Sequence, residues 1–126
     1  MSTVAKVHQG LGFLFLLGAT IMFFLAGTGA FGEGFDPHVD LGRGLQVVAV
    51  LLVILAAVGR REALIPSVVL LVLMLIQSGL AQIGEDTSFV GGLHPLNGLL
   101  ILVVAHNTAR GIPLPLIGNG SASRPA

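Results

Sequence analysis

Two imidazoles carry the strongest chemical signal in this chain. His38 opens the segment "HVDLG" and His94 opens "HPLNG", so each stands at the mouth of a long apolar run with a glycine four positions on, Gly42 and Gly98. On a helix the residue at i+4 lies one turn along on the same face, and glycine there withdraws the side chain that would fill the space beneath the ring. Imidazole is an axial ligand of haem iron, and the space suits a flat macrocycle. The pattern therefore points to His38 and His94 as paired ligands, with Gly42 and Gly98 as clearance for a porphyrin. Either histidine alone reads better as a headgroup-level or capping residue; the matched pair favours ligation.

The elements that must position them are membrane helices. Of 126 residues, 54% are hydrophobic and 10% charged, and mean hydropathy is +0.96, which leaves too little polar surface for a soluble domain. Apolar runs cover residues 11–27, 42–58, 64–83 and 96–105. Extended to their polar ends, they predict helices over about 7–27, 38–58, 64–83 and 94–109, near the ~20 residues that a spanning helix requires. The expected fold is an all-α membrane protein, with a four-helix up-down-up-down bundle over 1–110. The Pro/Gly/Ser-rich 111–126 reads as a flexible cytoplasmic tail. In such a bundle the second and fourth helices run parallel at diagonal corners, so His38 and His94 lie at one depth and face each other.

Lys6, Arg60, Arg61 and Arg110 mark one end of the helices, and Glu33, Asp36, Glu85 and Asp86 the other. The basic end is expected in the cytoplasm, with both termini there, in the inner membrane of a prokaryote. The first run, with Met1 still before it, reads as a retained helix rather than a cleaved signal. "LAGTGAFGEGFDPHVDLG" from Leu25 also parallels "LAQIGEDTSFVGGLHPLNG" from Leu80, with 13 residues from leucine to histidine in one and 14 in the other. This predicts a tandem repeat of a helical hairpin about an axis along the membrane normal.

Several chemistries are excluded or disfavoured. The chain has no cysteine, hence no disulfide, thiolate metal site or thioether haem link. Zero net charge and scattered basic residues give no nucleic-acid footprint. No serine or threonine has a histidine at helical spacing, so no hydrolytic site emerges, and "GTGAFG" lies in the wrong context for phosphate.

Other polar residues have two readings each. Arg43 can reach a haem propionate or pair locally with Asp40. Gln46, Gln77, Gln82 and Asn97 can hydrogen-bond a ligand or join helices. Met22 stands where Gln77 stands in the repeat, as a ligand or as packing. His8 and His106 are the candidates for a second haem near the cytoplasmic face. Twelve residues from His94 to His106 rotate the helix by ~120°, which favours an interfacial role for them instead.

"FFLAGTGAFG", "DPHVDLG", the Gly59–Arg60 pair, "LIQSGLA" and "LHPLNGLL" together resemble an uncharacterised prokaryotic family of four-helix integral membrane proteins. That resemblance implies a fold and no activity. More generally, the chain is similar to one half of the haem A synthase bundle, whose second and fourth helices carry paired histidines where b-type haem binds. His38 and His94 take those places. Phe35 stands where the synthase motif has a glutamate three residues before the first histidine, so the resemblance does not extend to oxidative chemistry. The expectation is a small b-type cytochrome with one haem b, a second remaining open, in electron transfer with a quinone or a redox partner protein. With both axial positions filled, an electron-transfer role outranks stand-alone enzymatic activity. The alternatives are a cofactor-free accessory or assembly subunit of a larger membrane complex, whether self-associating or docked on other chains, and an enzyme acting on haem or a lipid-soluble substrate.

Overall fold

The computed structural model describes residues 1–114. Among them are four long helices and no strand: α1 Thr3–Thr28, α2 Asp36–Gly59, α3 Leu64–Gly84 and α4 Ser88–Arg110. Each is long and apolar enough to cross a membrane.

Local chemistry explains the helix ends. Ser2 caps α1, its Oγ accepting from the Ala5 N–H at 3.1 Å. The helix widens into a π turn at Gly29–Glu33 and breaks where Gly32 and Gly34 take φ of +110° and +80°, a region open to glycine without penalty. Asp36 and Pro37 begin α2, a carboxylate and a fixed φ suited to a first turn. A 3-10 turn at Arg61–Ala63 leads into α3. Gly111, at φ +65°, ends α4 in the left-handed conformation, its N–H donating to the Asn107 and Thr108 carbonyls.

Two boundaries differ from the sequence expectation. α1 begins at Thr3 rather than near residue 7, because the Ser2 cap lies further out. More consequentially, α4 begins at Ser88, so His94 and Pro95 lie inside the helix rather than at its mouth. "SFVGGL" resembles a loop because of its glycines, but Gly91 serves packing: a Cβ on Gly84 would sit 2.7 Å from Gly91 Cα. The turn Glu85–Thr87 can therefore be short, and Pro95 is accommodated in mid-helix. Of the expected tail, residues 115–126 lie outside the described residues, while Leu114 packs against the core.

The helices form a ring in which α1 packs on α2 and α4, and α3 packs on the same two. Phe15, Leu45, Leu52, Leu70 and Ile101 are buried at the centre. Small residues bring α1 and α4 close, since a Cβ on Gly12 would lie 2.8 Å from Ala109 Cα. Outward, Phe24, Val58, Leu75 and Val103 are exposed, whereas His8, Arg60, Ser67, Asn97 and Thr108 are buried. Polar groups inside and large apolar ones outside suit a hydrocarbon surrounding and would be costly in water.

Candidate functional site

His38 lies in the first turn of α2 and His94 in the second turn of α4, and the structure brings them together: their ring centroids are 6.1 Å apart, with planes inclined by 48°. Each ring is held from behind in the same way. His38 Nδ1 donates to the Met22 carbonyl of α1 at 3.0 Å, and His94 Nδ1 to the Gln77 carbonyl of α3 at 3.2 Å. A carbonyl can only accept, so it places the proton on Nδ1 and leaves the Nε2 lone pair for another partner. Such backbone anchoring is the usual outer support of a metal-bound imidazole. No helical period announces a backbone carbonyl, so neither anchor is legible in the sequence.

The pair lines a cavity of about 570 Å³ to which all four helices contribute, including Gly42, Gly98 and Arg43. The glycine positions need one correction. Their clearance is not empty: a Cβ on Gly42 would meet Met22 Cε at 3.2 Å, and one on Gly98 would meet Phe23 Cζ at 3.1 Å. Both neighbours are the far ends of side chains that can rotate away, so the room is exchangeable. Met22 thus serves as packing through its side chain and as an anchor through its carbonyl.

The other polar residues divide. Asn97 Nδ2 donates to the Leu73 carbonyl at 3.0 Å and to Gln77 Oε1 at 2.7 Å, and Gln46 donates to Ser78 Oγ, so these amides join α4 to α3 and α2 to α3. Gln82 lines the cavity. Arg43 pairs with Asp40 at 3.4 Å, both side chains about three-quarters exposed, a contact of little energetic weight.

The opposite end holds a buried polar cluster. His8 is fully buried, accepting at Nδ1 from Arg60 Nη1 at 3.1 Å and donating from Nε2 to Ser67 Oγ at 3.1 Å; Ser67 donates in turn to the Ala63 carbonyl. Arg60 Nη1 also donates to the Ala109 carbonyl at 2.8 Å, and Nε to Glu62 at 3.3 Å. One guanidinium thus ties α1 to the end of α4. His106, by contrast, is exposed, so His8 and His106 are not drawn into one site. In the sequence the adjacent Arg60 and Arg61 both mark this end of the helices, and nothing in their types distinguishes the buried Arg60 from the exposed Arg61. Arg60→Ala should destabilise the bundle by about 2–3 kcal/mol, because it strands His8 Nδ1 and the Ala109 carbonyl without a donor. Unfolding of the detergent-solubilised variant checks this, and wild-type stability would refute it.

Fold and site together define a multi-pass helical membrane protein with a histidine-lined cavity between its helices. Residues 22–84 match the model described as "Family of unknown function (DUF6220)", and the chain belongs to that family. The matched segment carries His38, Gly42, Arg43, Arg60 and Gln77 and stops short of α4. No curated protein and no solved structure matches the chain.

Proposed function

We propose that this chain is a small b-type membrane cytochrome, one haem being held between His38 and His94. The observation that carries the reading is the 6.1 Å between the imidazole centroids. An imidazole nitrogen binds a first-row metal at about 2.0 Å, which puts two rings sharing one iron at roughly 6 Å between centres. The donor set also fits: two neutral nitrogens backed by carbonyls, with no carboxylate among the ligands. Bound there, the haem would supply one-electron transfer, with a quinone or a partner protein as the other redox carrier.

A duplicated hairpin in an up-down-up-down bundle underlies the site in this reading. Met22 and Gln77 are 55 residues apart, as Leu25 and Leu80 are, and each offers its carbonyl to the histidine of the following helix. The protein lies in a prokaryotic inner membrane with both termini cytoplasmic and the haem near the outer face. Cysteines introduced at Gly34 and Ser88 should then react with an impermeant thiol reagent in intact cells, and one at Glu62 should not; labelling at 62 alone would reverse the orientation. One haem per chain is expected, as both His8 nitrogens are engaged elsewhere.

Purified protein supplemented with haem should show a low-spin bis-imidazole spectrum at a ratio near one. A colourless product would remove the cytochrome reading and leave the accessory subunit.

A further inference from the structure

The cavity has two unlike walls. Besides His38 and His94, its polar lining comes from α2 and α3, with Arg43, Gln46, Gln77, Ser78 and Gln82, and from Glu85 in the turn that follows α3. From α1 come Ala19, Met22, Phe23 and Ala26, and from α4 Pro95, Gly98 and Ile101. The departure from symmetry runs one way. At the places in the repeat where α1 has Met22, Phe23 and Gly27, α3 has Gln77, Ser78 and Gln82; where α2 has Arg43 and Gln46, α4 has Leu99 and Leu102. The two histidines and their carbonyl anchors are alike on both sides, so they fix the plane of a flat ligand and not its rotation within that plane.

We infer that the α2–α3 wall is the recognition face for the carboxylate edge of the cofactor, fixing one in-plane orientation with the two propionates on the α3 side, within reach of Arg43, and the hydrocarbon edge on the α1 side. This rests on the haem reading of the His38–His94 pair. A carboxylate placed against the α1–α4 wall would meet no donor inside an apolar surrounding, a costly arrangement. On the α2–α3 wall, the bonds already made leave donors over. Asn97 uses one Nδ2 hydrogen on the Leu73 carbonyl and the other on Gln77 Oε1, which orients the Gln77 amide and leaves its NH₂ to donate on the Gly98 side, where Nε2 lies 3.7 Å from a Cβ placed on Gly98. Arg43 is the cation among the lining residues, and its exposed contact with Asp40 is weak enough to be exchanged for a propionate. Glu85 also lines this wall and has the repelling sign, so the propionates belong beside Arg43 and the amides rather than at the end of α3.

The test compares haem with its dimethyl ester, which keeps the macrocycle and removes both negative charges. Arg43→Gln should weaken haem binding about fivefold, the size of an exposed charge pair, and leave ester binding within about twofold. In the diamagnetic ferrous protein with methyl-labelled alanine, the propionate methylenes should give Overhauser contacts to Ala81 of α3 and not to Ala26 of α1. Contacts to Ala26, or equal losses for haem and ester, would overturn the orientation and leave the bis-histidine reading standing. If neither compound binds the wild-type chain, that reading fails and the orientation falls with it.

Discussion

His38→Ala and His94→Ala should each abolish the bis-imidazole spectrum and weaken haem binding by more than about 100-fold. Loss of an outer-shell partner of a metal ligand already costs ~10–100-fold, and here a direct ligand is removed. One remaining imidazole leaves the iron five-coordinate, and half of the support that sets the ring plane is gone. The protein itself should survive. Each histidine makes one described hydrogen bond, to the Met22 or the Gln77 carbonyl, worth about 1 kcal/mol. The central packing of Phe15, Leu52 and Leu70 lies elsewhere. Circular dichroism should therefore report an intact bundle while haem titration reports the loss. An unchanged bis-imidazole spectrum in His94→Ala would show that the iron, if bound, is held by other groups.

Gly98→Leu should displace the haem with the helices still inserted. A Cβ at this position already comes within 3.1 Å of Phe23 Cζ and 3.7 Å of Gln77 Nε2, and the rest of a leucine would extend into the cavity that His94 and Gly98 line. Gly98→Ala is the informative companion. Its single methyl asks only for a small rotation of Phe23, and alanine is favoured over glycine in a helix by up to ~1 kcal/mol. The alanine variant should keep the haem-free bundle at least as stable as wild type and bind haem more weakly. The leucine variant should bind none, at a cost to the haem-free bundle of about 1–3 kcal/mol from overpacking. Thermal unfolding with and without haem separates the two effects. Gly42→Leu should behave alike, Met22 Cε taking the part of Phe23. Wild-type haem affinity in Gly98→Leu would show that the glycines serve helix packing alone.

Much of the fold was legible because hydropathy is summed along the chain. Four apolar runs, their polar ends and the absence of cysteine required no knowledge of neighbours, and the four helices fall on those runs. The exception, the start of α4, shows the limit of local rules. Pro95 after His94 resembles a helix beginning, yet the close approach of Gly84 and Gly91, where a Cβ on Gly84 would lie 2.7 Å from Gly91 Cα, is a tertiary fact that lets the helix start at Ser88.

The site divides in the same way. That His38 and His94 lie toward one end of the bundle is legible from counting residues along the apolar runs, since rise per residue turns position in the chain into position along a helix. Their approach to 6.1 Å, the carbonyls behind them, the filling of the glycine clearance from α1 and the burial of Arg60 rather than Arg61 came only with the packed bundle. In water, the apolar stripe of a helix marks the side that turns inward. In lipid both sides are apolar, so the sequence by itself determines how many helices cross and at what depth each residue lies. The rotation of each helix about its own axis, and with it the choice of which groups meet, is decided by close packing and hydrogen bonding between the four helices.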